Sequence, residues 1–331
     1  MRVVVTGATG NVGTALLRAL AHEDEVTSVV GIARRLPKTR FPKTEWVRAD
    51  VAETPLEPIF DGADCVVHLA WLIQPSHDRR ATWRANVLGS RRVFEAAAAT
   101  VPALVHASSV GAYSPGPKDR LVDESWPTDG VRSSFYSRDK SDAERLLDRV
   151  EELHPELRSV RLRPSLIFQR AMGTEAKRLF TGRWVPHRLV APRRIPFVPD
   201  IPRLRFQVTH TDDAADAYRR AIVSGAYGAF NVAADPVLDP DALAALLGAR
   251  KVPVPARLAR GLVAASWRLH LQPTPEGWVD MGLQTPLLDA SRIRAELGWE
   301  PRHTAGEALL ELLQGFHAGA GAPTPPLRTS S

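Results

Sequence analysis

The segment Thr6–Gly13 reads TGATGNVG and stands directly behind the apolar run Val3–Val5. Gly7, Gly10 and Gly13 are spaced three apart between an expected strand and an expected helix, Val12 to Leu20. In that setting the first glycine permits a tight turn. The second lets backbone approach a pyrophosphate, and the third allows helix and strand to pack closely. The exposed N–H groups and positive dipole of the helix N-terminus then favour bound phosphate. The alternative, an ordinary strand-to-helix turn, explains glycine but not this spacing in this context. A dinucleotide-binding turn is therefore expected from Gly7, Thr9, Gly10, Asn11, Val12 and Gly13.

Apolar runs alternate with helix-length segments through the first half. Strands are expected at 3–5, 26–32, 45–47, 64–69, 103–107 and 158–162, with helices at 79–99 and 133–153. Such alternation predicts right-handed crossovers and an α/β fold, a doubly wound parallel sheet of Rossmann type. The pattern changes after Pro164. Residues 164–205 are rich in Pro and Arg without a clear period. Beyond them come a strand at 206–208, a helix at 212–223, a strand at 229–232, and helices near 239–247, 256–269, 291–297 and 305–317. Residues 1–163 are expected as the dinucleotide domain, rejoined by 206–233, with 164–317 mainly a smaller substrate domain. The tail 318–331 is expected to be disordered.

The balance of 43 Lys+Arg against 37 Asp+Glu leaves a net charge of +6, with 37 of the basic residues Arg. They form neither a run of five nor a stripe with interleaved aromatics, so nucleic acid is not an expected partner. An anionic small molecule suits the charge better. One cysteine, Cys65, forms no internal disulfide, and no metal site is suggested. No stretch reaches 18 apolar residues and no secretory leader precedes the first strand, so a cytoplasmic protein without a membrane partner is expected.

Tyr136 and Lys140, in YSRDK, fall one helical turn apart on one face. An ammonium near a phenol favours the phenolate, which suits proton exchange with a hydroxyl or carbonyl. They follow the fifth strand, which ends in Ser108 and Ser109, at the sheet edge where α/β proteins hold ligands. Ser109 is the expected hydroxyl partner of the reacting oxygen, with Ser108 second. At the end of the second strand, GIARR has Ala33 where an acid would bond the ribose of NAD, followed by Arg34 and Arg35. The cofactor is therefore expected to be NAD(P), leaning to NADP through Arg34, with Asp50 and Val51 beside the adenine.

Together these features resemble the extended short-chain dehydrogenase/reductases, the NAD-dependent epimerase/dehydratase group. The likeness rests on TGATGNVG, Asp50-Val51, His68-Leu69-Ala70, Asn86, SSVGAY, the Tyr136/Lys140 pair, RLRPSLIF, HTDDAADA, GAFNVA and LDASRIRAELGWEP. It implies Tyr136 as general acid/base, Lys140 as cofactor clamp and modulator of the Tyr, and Ser109 as substrate partner. It places Leu69 and Ala70 along the cofactor, Asn86 behind the site, and Pro164 and Ser165 near the nicotinamide. It also implies a homodimer through helices 79–99 and 133–153. SSVGAY lacks an acid beside the serines, so dehydration is not expected. The substrate is left between a nucleotide sugar, with Arg178, Arg183, Arg193 and Arg194 on its phosphates, and a hydrophobic ketone. A third alternative is a non-catalytic dinucleotide-sensing protein.

Overall fold

A computed structural model describes residues 1–181, 191, 192 and 194–329. The first half delivers β1 (Arg2–Thr6), α1 (Asn11–Ala21), β2 (Ser28–Ala33), β3 (Thr44–Arg48), α2 (Glu57–Phe60) and β4 (Cys65–His68). Then come α3 (Arg79–Trp83), α4 (Gly89–Thr100), β5 (Ala103–Ala107), β6 (Leu121–Val122), α5 (Phe135–Leu153) and β7 (Arg158–Pro164). The helix expected at 79–99 is one helical run, but Arg84–Leu88 is wound as a π-turn between α3 and α4. The second half contributes β8 (Leu166–Phe168), α6 (Gly173–Ala176), β9 (Phe197–Asp200), β10 (Val208–His210), α7 (Thr211–Val223) and β11 (Gly228–Val232). It continues with α8 (Pro240–Leu247), β12 (Arg250–Pro253), α9 (Ala256–Arg268), α10 (Gly277–Gln284), β13 (Leu287–Leu288), α11 (Ser291–Leu297) and α12 (Ala305–Ala318).

Seven strands form one sheet in the order β11-β7-β5-β4-β1-β2-β3, and every pairing within it is parallel. A parallel sheet is covered on both faces, which is why its strands read as unbroken apolar runs. Alternate residues feed two cores. Val3, Val5, Cys65, Val67 and Val105 pack against α1, α7 and α11, with Trp299 among them. Val4, Val66 and Leu104 pack against Phe60, Phe94, Leu147 and their neighbours on α2, α4 and α5. The chain reverses direction in the sheet between β1 and β4, so the loops after these two strands diverge there and leave a crevice.

A third core unites β9, β10 and α8 with the first turn of α12. The short strands β8, β9, β12 and β13 were not expected. Each is two to four residues long and pairs only in two-stranded ribbons, too short for a periodic signal. The expected strand at 206–208 begins instead at Val208, while Phe206 makes an antiparallel bridge to Leu238. The tail is also a correction. Leu327 is fully buried, Ala322 N–H donates to the Leu327 carbonyl at 2.7 Å, and Pro325–Leu327 form a 3₁₀ turn.

Candidate active site

The crevice is a cavity of about 480 Å³ at the carboxyl ends of β1, β2 and β4. Gly7, Thr9, Gly10, Ile32 to Arg35, Ala49 to Val51 and Leu69 to Gln74 are among its lining residues. Gly7 has φ +69°, and a Cβ there would stand 2.7 Å from the Ala70 backbone nitrogen. A Cβ on Gly13 would stand 2.5 Å from the Gly7 carbonyl. The turn is thus pressed against both the loop after β4 and its own helix. Gly10 caps α1 with no side-chain hydrogen bond to the first turn, which leaves the leading N–H groups for an anion. The residues present fit a dinucleotide.

The other expected cofactor contacts divide. Val51, Leu69 and Ala70 line the cavity wall, and Arg34 and Arg35 stand exposed at its rim. Asp50 is there too, with one carboxylate oxygen accepting from Ala52 N–H at 2.9 Å. Asn11 turns its side chain away, donating to Thr211 Oγ1 and accepting from Gln169 Nε2 at 2.6 Å. Val12, partly buried in the first turn of α1, packs against the core. Asn86, fully buried, clamps Leu72: its Oδ1 accepts from Leu72 N–H at 2.7 Å and its Nδ2 donates to Leu72 O at 2.9 Å. It thereby shapes the cavity wall from behind. Pro164 ends β7 opposite Val232, outside the lining set. Arg178 reaches this cavity rather than a separate sugar pocket and donates to Pro326 O at 2.9 Å. Glu175 beside it, desolvated, is pushed up to about 7 against the pull of Arg178. Arg194 is exposed, and Arg183 and Arg193 lie outside the described residues.

Tyr136 and Lys140 lie in the first two turns of α5, whose N-cap Ser134 accepts from Ser137 N–H. Ser137 Oγ in turn donates to Gly111 O, tying the helix start to the loop after β5. Gly111 has no room for a side chain, since a Cβ would stand 2.9 Å from Tyr136 Cε1. Burial raises the Tyr136 hydroxyl above its ordinary value, and a hydrogen bond with Ser109 works in the opposite direction. Lys140 Nζ donates to Ala107 O at 2.6 Å and lies 3.5 Å from the Trp71 ring centroid, but 6.0 Å from that of Tyr136. Burial brings it down to about 7 although Glu144 and Asp139 favour its charge. Tyr136 is thus governed here by burial and by Ser109 rather than by the lysine.

The choice between the two serines follows from Glu144. Ser108 Oγ donates to the Glu144 carboxylate at 2.5 Å and is engaged there, while Ser109 Oγ accepts from Gly111 N–H at 3.0 Å in the turn packed on Tyr136. Glu144 is fully buried. It accepts from Arg161 Nη1 at 2.8 Å and from Arg163 Nε and Nη2, each at 2.9 Å. Burial alone would raise its carboxyl; the two guanidiniums prevail and hold it far below the usual carboxylate range.

Tyr136 has aromatic neighbours that sequence reading missed. Trp278 lies 4.9 Å and Trp71 6.0 Å from the Tyr136 ring, and Phe180 lies 5.3 Å from Trp278. Both indole N–H groups are buried without an acceptor. The only available signal was local: Trp71 directly follows Leu69-Ala70.

Fold and crevice define an α/β protein of the Rossmann type. A model of the NAD dependent epimerase/dehydratase family matches residues 3–233, and the chain belongs to that family of enzymes. An uncharacterised protein of Mycobacterium tuberculosis strain H37Rv is 27% identical over 329 residues, covering 95% of this chain and 83% of its own. The L-arabinose 1-dehydrogenase (NAD(P)(+)) of Haloferax volcanii is 37% identical over 110 residues, 33% of this chain and 41% of that one. Among solved structures, the UDP-glucose 4-epimerase of Thermus thermophilus in complex with NAD superposes with TM-score 0.69 at 21% identity, covering 96% and 99% of the two chains. The UDP-glucuronic acid 4-epimerase of Bacillus cereus gives 0.69 at 18%, again over 96% and 99%.

Proposed function

We propose that this enzyme moves hydride between NAD(P) and a carbinol or ketone carbon, with Tyr136 as general acid/base. The observation that carries the reading is the placement of Tyr136: it packs against Gly111 in the turn that Ser109 opens after β5, next to Trp71 of the glycine-lined cavity, with Lys140 one helical turn on. When bound, the nicotinamide would supply or accept the hydride. Gly7, Thr9 and Gly10 would cradle the pyrophosphate, Arg34 would meet a 2′-phosphate, and Leu69 and Ala70 would flank the chain of the cofactor. Ser109 would hold the substrate oxygen. Tyr136, whose burial keeps it protonated at neutral pH, would give its proton to a ketone oxygen and take one back in the reverse direction. Lys140, displaced from Trp71, would reach the cofactor ribose. The balance of hydride out and proton out, or both in, is that of alcohol oxidation or ketone reduction; epimerisation would be the two in succession.

A nucleotide-sugar substrate is supported by Arg203 and Arg205, which lie beside Lys118. None of the three pairs with a carboxylate among the described residues, and Arg205 Nε is buried without an acceptor. Lys118 Nζ donates to Gly282 O at 2.9 Å, beside Met281, which faces Gly111. A diphosphate would answer the charge of Arg203 and Arg205, whereas Lys118, buried and brought down to about 7, is held by the Arg205 and Gly282 carbonyls. The Trp71–Trp278–Phe180 wall favours the second reading, a hydrophobic ketone whose oxygen accepts from an indole. A homodimer through 79–99 and 133–153 would be a polar one, since Arg138, Asp142, Arg145 and Arg149 form the exposed side of α5.

Turnover of NAD(P)H with panels of nucleotide sugars and apolar ketones tests the substrate. Tyr136→Phe should keep cofactor binding and lose turnover about a hundredfold or more. Undiminished turnover in that variant would remove the phenol from the mechanism.

A further inference from the structure

Helix α9 is built inside out. Only Ala264 of its thirteen residues is buried, while Leu258 is 53%, Leu262 62% and Leu269 69% exposed, followed by Leu271 at 49%. At about 100° per residue, Leu258, Leu262, Ala265 and Leu269 fall in one sector roughly 60° wide. Arg257 and Arg268 lie along one border of that sector, and neither guanidinium forms an ion pair or hydrogen bond among the described residues. The ribbon that leads into the helix also exposes apolar side chains. Phe197, 56% exposed, and Val252, 40% exposed, lie on the same face of the β9–β12 pairing.

The opposite side of α9 is firmly held, so the exposure is not that of a loose segment. Trp267 Nε1 donates to Ser76 Oγ at 3.0 Å, and Ser76 Oγ donates to Pro273 O at 2.6 Å. The His77 ring stacks between Trp267 and His270, each 4.2 Å away. Arg260 pairs with Asp280 at 3.0 Å. The helix is thereby fastened to the loop that carries Ile73 and Gln74 into the cofactor cavity wall.

Charge decides what such a face can meet. The 34 residues between Asp241 and Glu276 contain no acidic side chain but carry Arg250, Lys251, Arg257, Arg260 and Arg268; Lys251 pairs with Asp241 at 2.6 Å and Arg260 with Asp280, which leaves Arg250, Arg257 and Arg268 without a carboxylate among the described residues. With 37 acids in the chain, an even spread would place about four there. A water-facing leucine stripe bordered by unpaired arginines, on an acid-free stretch, complements an apolar layer under a negatively charged surface. We infer that α9 docks this enzyme peripherally on an anionic lipid bilayer, with Leu258, Leu262 and Leu269 at the acyl boundary and Arg257 and Arg268 on headgroup phosphates. No described helix is long and apolar enough to cross a membrane, so the attachment is interfacial. It stands independently of the proposed reaction.

The test is co-sedimentation of the full chain with vesicles of phosphatidylcholine alone or mixed with phosphatidylglycerol. Binding is expected to the anionic vesicles, at least tenfold weaker to neutral ones, and reduced by salt. Leu262→Asp and Arg268→Glu should each weaken it about tenfold or more. Arg40→Glu, the same charge change in the β2–β3 connection, should weaken it less than threefold. All these positions are exposed, and an unchanged melting temperature confirms that each variant folds. Equal losses in Arg268→Glu and Arg40→Glu would reduce the binding to general charge and overturn the proposal. Absence of vesicle binding would also overturn it, and self-association abolished by Leu262→Asp would then give the face to a second copy of the chain.

Discussion

Replacing Glu144 by Gln tests how the floor of the site is held. The substitution is nearly isosteric, so it opens no cavity; it removes one buried negative charge. Arg161 would keep Asp148 at 2.6 Å and Glu151 at 2.5 Å. Arg163 would be left with the Tyr113 hydroxyl at 3.1 Å and the Glu124 carbonyl at 2.9 Å, both neutral, in a buried setting. Removing one partner of a buried ion pair costs about 3–5 kcal/mol, because the remaining charge stays desolvated. Unfolding entropy near 2.1 cal/mol/K per residue gives about 0.7 kcal/mol/K for a chain of this length, so the melting temperature should fall by about 4–7 °C. The second change is local. Lys140 stands one turn before Glu144 and is held up partly by its charge, so the lysine should titrate at still lower pH in the variant. Calorimetry measures the first effect. The double variant Glu144→Gln/Arg163→Met, which removes the stranded cation, should melt above the single one. A single variant within about 1 °C of the parent would refute the claim that Arg163 depends on this carboxylate.

Three further outcomes follow from the same structure. Lys140 is lowered to about 7, below the ordinary value near 10.4 that it regains on unfolding. Between these values the unfolded chain binds the extra proton, so stability rises with pH; Lys140→Met should flatten that rise in denaturant titrations, and an unchanged slope would contradict the lowering of Lys140 by burial. Leu327→Ala should cost about 2–3 kcal/mol in denaturant unfolding, whereas a disordered tail would lose nothing. Arg34→Ser should raise KM for NADPH about tenfold while leaving NADH nearly unchanged, and equal effects on both would remove Arg34 from 2′-phosphate recognition.

Much of the architecture was legible because it is encoded in short windows. Glycine spacing in TGATGNVG, unbroken apolar runs for strands buried on both faces, and the four-residue step from Tyr136 to Lys140 are local properties of the chain. They suffice for the parallel sheet, the cofactor turn and the membership of the family. Other assignments depended on partners far away in sequence, which no window contains. Ser108 is taken up by Glu144, 36 residues away, which leaves Ser109 in the turn packed on the tyrosine. Asn11 is drawn off by Thr211, and Arg178 and Pro326 meet at the cofactor cavity across 148 residues. The tail, low in apolar content, reads as disordered by composition and yet buries Leu327. Burial itself, which sets Tyr136 high and Lys140 low, belongs to no residue until the packing is complete. Composition and period specify the scaffold; desolvation and long-range pairing decide which side chains on it are left to do chemistry.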